Sequence, residues 1–280
     1  MAKNKNIAIN ILWLSHKNVT GGFVYTQNLL DNLFKIDTGN RYTVFLNKQD
    51  FSYFKKRYGL YNNVSFVVID IRRDILLNPL RAIKKLIAKI KKDDAKRESI
   101  IKKEIQTYIN KRSIDTFFFP SGIIYPKGLI GIKVVSTMYD LQHEYYPENF
   151  SENQIDFRNQ NYKYTTENSD HIIAISDYTK KTIIEKYKVN TNKISVIHLD
   201  AMKPKEALPD YTINLPNQFI FYPAALWPHK NHKLLIEVLN DLKTKFPDLH
   251  IVFTGITKKK KLRGEINNLI ERYNLSNKIQ

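Results

Sequence analysis

The sequence predicts an α/β protein with two Rossmann-like, doubly wound domains, the second one incomplete. Three features predict it. Apolar runs rich in β-branched residues recur along the chain, and helical patterns separate them. A polar stretch punctuated by Pro204, Pro209 and Pro216 then divides a long first part from a short second part. Continuous apolar strands alternating with helices indicate parallel sheets covered on both faces.

The expected strands are Ile7 to Leu14, Tyr42 to Leu46, Val64 to Ile69, Thr116 to Phe119, Lys133 to Met138, His171 to Ile175, Ile194 to His198, Phe219 to Tyr222 and His250 to Thr254. Helical periodicity is clearest over Val24 to Phe34, Pro79 to Ile109, Ser151 to Ser169, Asp177 to Tyr187, Asn231 to Phe246 and Lys260 to Tyr273. Ser176 stands where a hydroxyl would cap the helix that follows. These readings give a first domain over 1–200, a linker over 201–217 and a second domain over 218–280. The second domain holds two strand-helix units and starts a third at Asn277 to Gln280. A doubly wound domain normally has about five strands or more, so this one is expected to be cut off.

A chain of 280 residues can bury a sizeable core. Zero cysteines exclude disulfides, thiolate metal sites and a cysteine nucleophile, and fit a cytoplasmic protein. The basic start Met1 to Lys5 followed by apolar Ile7 to Leu14 superficially has the form of a signal peptide. Asn10 interrupts the run and Ser15-His16-Lys17 follows at once, so a buried first strand explains it better. No run approaches the roughly 20 apolar residues that span a bilayer. The formal charge of +18 would attract phosphates or anionic headgroups, or is spread over solvated faces. The lysine-heavy helix Pro79 to Lys103 carries Ile83, Leu86, Ile87 and Ile90 on one face, which suits packing on the sheet or peripheral contact with an anionic membrane. No nucleic-acid module accompanies the charge, so no nucleic-acid partner is expected.

Ligands of doubly wound sheets bind beyond the carboxyl ends of the strands. Three loops there hold candidate chemistry. After the first strand, His16-Lys17-Asn18-Val19-Thr20-Gly21-Gly22 leads into a helix, and the glycine pair lets backbone amides approach a phosphate or sugar. After Met138, the segment Tyr139-Asp140-Leu141-Gln142-His143-Glu144-Tyr145-Tyr146-Pro147-Glu148 crowds charged, imidazole and phenol groups at the end of a buried strand. After Tyr222, Trp227-Pro228-His229-Lys230-Asn231 puts a cation at a helix start, which suits a polyphosphate. His229 and His232 lack a third ligand for a metal, and no other cluster has metal spacing.

These loops resemble glycosyltransferase family 4, the retaining nucleotide-sugar-dependent enzymes of the two-Rossmann-domain (GT-B) type, also called glycosyl transferases group 1. The resemblance runs from Ile7 to Gln280 and is most specific around Asp140 and Lys230. It implies transfer of a sugar, mannose among them, from a nucleotide diphosphate sugar to a glycan or lipid-linked acceptor with retention, by a hexosyltransferase that needs no metal or other cofactor. It implies donor binding by Gly21, Gly22, Trp227, His229, Lys230, Asn231 and Gly255, with the glycine pair and Lys230 facing each other across a cleft. Lys230 would stabilise the departing diphosphate, while Asp140 and the nearby His143 would orient sugar hydroxyls, so the catalytic candidates are Asp140, His143 and Lys230.

The sequence also departs from the family. Tyr139 stands where many members have histidine, and Ala224-Ala225 where they have an arginine. Glu144 and Glu152 reproduce the family's paired-glutamate spacing but lie in the wrong domain. Without the true pair, the 280 residues alone are expected to turn over no nucleotide sugar. The alternatives are a sugar-nucleotide epimerase or a phosphorylase on the same architecture, or a basic membrane- or nucleic-acid-binding protein without catalysis.

Overall fold

A computed structural model describes residues 4–70, 84–200, 213–255 and 260–280, with the backbone alone over 84–94 and at 260. The chain divides into two compact units, residues 1–202 and 203–280.

The first unit is built on strands β1 (Asn6–Asn10), β2 (Arg41–Asn47), β3 (Val64–Ile69), β4 (Thr116–Phe119), β5 (Lys133–Met138), β6 (His171–Ala174) and β7 (Ile194–Val196). All pair in parallel, in the order β3-β2-β1-β4-β5-β6-β7. The helices are α1 (Gly21–Ile36), α2 (Phe51–Tyr58), α3 (Lys84–Arg112), α4 (Gln142–Tyr145), α5 (Glu152–Asn168) and α6 (Asp177–Tyr187). Successive strand residues point to opposite faces, so the sheet feeds two cores. Ala8, Phe45 and Phe117 join Ile101, Ile105 and Ile109 of α3 on one side. Ile9, Val44 and Phe118 join Phe23, Leu30 and Phe34 of α1 and Phe54 and Tyr58 of α2 on the other. The expected doubly wound sheet is therefore present.

Several boundaries differ from the sequence reading. β1 stops at Asn10 because that buried side chain turns the backbone out of the strand: Oδ1 accepts from the amide of Leu12 at 3.1 Å, and Nδ2 donates to the carbonyl of Tyr125 at 2.7 Å. α2 was not expected. Its aromatics at 51, 54 and 58 follow helical spacing, but Lys55, Lys56 and Arg57 leave only a short apolar stripe. α4 occupies a stretch read as loop, and the helix expected over Asn231 to Phe246 ends at Leu242. Ser176 caps α6 as expected, its Oγ accepting from the amide of Thr179 at 3.1 Å. Pro79 to Ile83, the side chains of the lysine-rich stretch up to residue 94, and the linker over 201–212 lie outside the described residues.

The second unit holds β8 (Gln218–Pro223), α7 (His232–Leu242), β9 (Leu249–Thr254) and α8 (Lys260–Arg272). β8 and β9 run parallel, and Ile251 makes a further parallel bridge to Ile279. Ile236, Leu239, Ile251, Ile266 and Leu275 form its core. The expected third strand is thus begun by a single bridge.

Candidate functional site

In the first unit, β1 is flanked by β2 on one side and β4 on the other, so the strand order reverses between β1 and β4. A crevice at the carboxyl ends of two such strands is the usual ligand position in a doubly wound sheet. The loop that leaves β1 there is tightly built. Asp50, fully buried, takes the hydroxyl of Ser15 at 3.0 Å, the amide of His16 at 3.0 Å and His16 Nδ1 at 2.6 Å, all on Oδ1. The His16 ring stacks on Tyr53 at 4.9 Å with 9° between planes, and keeps a quarter of its side-chain surface exposed. Thr20 then caps α1 through Oγ1 to the amide of Phe23.

Gly21 has open space around it, and no acidic residue stands in the first turn of α1. Gly22 lies against the ring of Tyr139, the first residue beyond β5. Tyr139 donates its hydroxyl to the carbonyl of Pro120 and meets Tyr25 edge-on at 5.3 Å. Burial pushes both phenols above their ordinary pKa, so both stay protonated donors. The structure therefore brings Gly22, the second of the glycine pair, together with Tyr139, the position where the family pattern is broken.

Asp140 stays half exposed and accepts from Arg158 Nη1 at 3.2 Å and from the amide of Gln142 at 3.0 Å. Arg158 also lies 4.6 Å over the ring of Phe150. His143 corrects the expectation placed on it. The ring is 1 % exposed, Nε2 lies 3.1 Å from Asn159 Oδ1, and Tyr162 packs edge-on at 5.3 Å, so it is a packing residue between α4 and α5 rather than an open sugar contact. Burial, then the nearby Arg158 charge, lower its pKa and hold it neutral.

In the second unit, the loop after β8 folds as a 3-10 turn over Pro228–Lys230, with Asn231 in the left-handed region at φ 48°. Tyr222 donates its hydroxyl to the carbonyl of Lys230 at 2.8 Å. Buried His232 opens α7, with Nε2 3.2 Å from the carbonyl of Ala224. Those contacts fix the turn while the Lys230 ammonium is left exposed, with no partner among the described residues. No acidic residue stands in the first turn of α7. Trp227 and His229 lie with ring centroids 6.3 Å apart on the same turn. Gly255, just beyond β9, comes against the backbone of Ala224 and Ala225, where the family arginine is missing. The glycine pair and Lys230 belong to separate units.

Sequence reasoning missed the pairing of His16 with Asp50 and of Arg158 with Asp140. His16 was visible at the end of the first strand, but nothing in the sequence connects it to an aspartate 34 positions later. Among the described residues, no group of three or more His, Asp or Glu could hold a metal ion, and no helix is long and apolar enough to cross a membrane.

Residues 100–199 match the family model Glycosyltransferase Family 4, and residues 205–280 match Glycosyl transferases group 1. No curated protein matches the chain by sequence. Among solved structures, a glycosyltransferase from Rickettsia africae is similar at a TM-score of 0.63 and 17 % identity, covering 100 % of this chain and 68 % of its own. HepE from Anabaena, in complex with UDP and glucose, is similar at a TM-score of 0.57 and 13 % identity over 98 % of this chain and 68 % of its own. A putative UDP-N-acetylglucosamine 2-epimerase from Listeria monocytogenes is similar at 0.54 and 12 % over 99 % and 68 %. At these identities the structures show the fold. The two family models together take in more than half of the sequence, and on them the chain belongs to the GT-B glycosyltransferases of the family 4 and group 1 type.

Proposed function

We propose that the chain transfers a hexosyl group, mannosyl included, from a nucleotide diphosphate sugar to a glycan or lipid-linked acceptor, with retention at the anomeric carbon. The observation that carries this reading is the loop after β8: an exposed Lys230 ammonium, without a partner among the described residues, beside the start of a helix whose first turn has no acid. Lys230 and the positive end of α7 neutralise the diphosphate as its bond to the sugar breaks. Trp227, His229 and Asn231 on the same turn, and Gly255 beside it, complete the donor side. The charge here comes from protein cations, and no metal is assigned. In the first unit, Gly21 and Gly22 leave backbone amides of α1 accessible, and Asp140, steadied by Arg158, orients sugar hydroxyls. The net charge of +18 and the absence of cysteine support work in the cytoplasm at the inner face of an anionic membrane.

The test is a panel of UDP-glucose, UDP-N-acetylglucosamine and GDP-mannose with simple saccharide acceptors. Binding of UDP or GDP is the expected result for residues 1–280, which lack the glutamate pair that the resemblance calls for, and any acceptor-dependent release of nucleoside diphosphate is expected to carry an anomeric proton signal of retained configuration. Conversion of UDP-N-acetylglucosamine to its 2-epimer, with no diphosphate released to an acceptor, would instead favour the epimerase reading. Failure of every donor to react, together with failure of UDP and GDP to bind, would overturn the proposal.

A further inference from the structure

The amino ends of β1, β2 and β3 lie at the opposite edge of the first sheet from the candidate loops, because the three strands run parallel. Between them and the end of α3 is a cavity of about 390 Å³. Arg41, the first residue of β2, and Arg112, the last of α3, both line it, and no Asp or Glu does. Arg112 is held from two sides: Nη1 donates to Ser65 Oγ at 3.1 Å, and the guanidinium lies 6.0 Å from the centre of the Tyr108 ring. Ser65 is fixed in turn, its hydroxyl donating to the carbonyl of Tyr42 at 3.2 Å and meeting Thr43 Oγ1 at 3.1 Å. Arg112 thereby uses one of five N–H donors. Arg41 has no side-chain hydrogen bond, and neither arginine has an ion pair, among the described residues. The carboxylates that touch lining residues are committed elsewhere, Asp37 to the Tyr42 hydroxyl and Asn40, Asp115 to the amide of Asn6.

We infer that this cavity binds a small phosphomonoester, its phosphate gripped by Arg41 and Arg112. Two guanidinium groups without a counter-charge on one cavity call for an anion, and a phosphomonoester brings two negative charges where a carboxylate brings one. Planar guanidinium forks match phosphate oxygens in pairs, and the hold of Ser65 and Tyr108 on Arg112 prepares that geometry before the ligand arrives. The volume lies within the roughly 300–1,000 Å³ of small-molecule sites, so it has room for the organic part of the ester as well as the phosphate. Asn62, exposed at the same cavity and with a side-chain amide that has no partner among the described residues, is placed to meet hydroxyls of that part. The site lies wholly in the first unit and away from the loop that carries Lys230, so it is independent of the glycosyl-transfer reading. A soluble sugar phosphate and the headgroup of phosphatidic acid both present this chemistry.

Calorimetric titration at about pH 7.5, where a phosphomonoester is mainly dianionic, tests this with glucose 6-phosphate and inorganic phosphate. Vesicles containing phosphatidic acid form a third arm. Glucose 6-phosphate is expected to bind more tightly than inorganic phosphate. Arg41→Ala and Arg112→Gln are each expected to weaken it at least tenfold, while UDP and GDP affinities stay within twofold of wild type. Arg41→Lys keeps the charge but not the fork, and is expected to lose at least fivefold. Lys230→Ala is expected to leave glucose 6-phosphate binding within twofold. Arg41 is an exposed side chain at the start of its strand, so its variants keep the question open to measurement even if Arg112→Gln lowers the melting temperature. Binding that depends on Arg41 in the soluble arm, the vesicle arm or both supports the site and identifies the source of the phosphate. Arg41-independent binding in every arm, full affinity in Arg41→Lys, equal affinity for inorganic phosphate, or no binding of any probe overturns the inference. Each of those results leaves the transferase reading standing, because UDP and GDP binding is read separately.

Discussion

Gly22 and Tyr139 touch across the start of α1 and the end of β5: a Cβ built on Gly22 would stand 3.4 Å from Tyr139 Cε2 and 3.5 Å from its hydroxyl oxygen. The ring cannot retreat freely, being hydrogen-bonded to Pro120 and flanked by Tyr25. One methyl group needs a shift of only a few tenths of an ångström, and alanine favours the helix over glycine. Gly22→Ala is therefore expected to change unfolding stability by less than about 1 kcal/mol, and Gly22→Leu to lose about 1–3 kcal/mol through overpacking. Urea midpoints measure both, and a leucine variant as stable as wild type would mean that the Tyr139 ring moves at little cost.

Asp37 closes the turn between α1 and β2. It accepts from the hydroxyl of Tyr42 at 2.5 Å, from Asn40 Nδ2 at 2.7 Å and from the amides of Gly39 and Asn40 at 3.0 Å. The Tyr42 hydrogen bond, then those of Asn40, hold its carboxyl at about 2, against an ordinary value of 3.8. A depressed folded-state pKa stabilises the fold above the unfolded value, and that contribution fades as pH falls from about 4 towards 2. Screening at this exposed turn limits it to about 1 kcal/mol. Asp37→Asn is expected to lose that amount at pH 7 and to approach wild type by pH 2.5. A gap in urea midpoint that stays constant with pH would show that the loss is not electrostatic.

Period and apolar run length were enough to read the sheet, because its inner strands β1, β2, β4 and β5 are largely buried and carry little polar interruption. They failed where one side chain decided the backbone, as Asn10 does at the end of β1, or where aromatics and cations shared a short helix, as in α2. The candidate loops were legible because a glycine pair, an unbroken Tyr-Asp block and a cation at a helix start are all local signals. Burial is not local. His143 reads as site material in sequence and is enclosed by Asn159 and Tyr162, while Asp50, which no local signal singles out, is fully buried.

The Lys230 side chain contributes charge without contributing to the fold, since its ammonium meets no partner among the described residues and only its backbone is used, the amide donating to the carbonyl of Trp227 and the carbonyl accepting from Tyr222. Lys230→Ala is expected to weaken binding of UDP or GDP roughly tenfold, about 1.4 kcal/mol, and to leave the melting temperature unchanged. The gap between variant and wild type is expected to narrow in 0.5 M salt as the phosphate charge is screened. Calorimetric titration with both nucleotides measures it. Equal affinities would remove Lys230 from the donor side.

Gly255 is the position where substitution is least tolerable, for two independent reasons. Its φ of 156° lies where side-chain-bearing residues rarely go, and a Cβ there would stand 2.4 Å from the carbonyl oxygen of Ala224 and 2.9 Å from Cα of Ala225. Both obstacles are backbone, so no rotamer change relieves them. The same contact draws the end of β9 against the loop that leads to Lys230, so relief by backbone movement would displace that loop. Gly255→Ala is expected to cost at least about 2 kcal/mol in the second unit and to weaken UDP binding as well. The chain has two tryptophans, one in each unit, Trp13 and Trp227. With Trp13 replaced by Phe, the fluorescence of Trp227 follows the second unit alone, and its urea transition is expected to shift to lower concentration in the Gly255→Ala background. An unshifted transition with undiminished nucleotide binding would mean that the β8 loop tolerates a retreat from β9, and that the close approach is incidental to holding Lys230 in place.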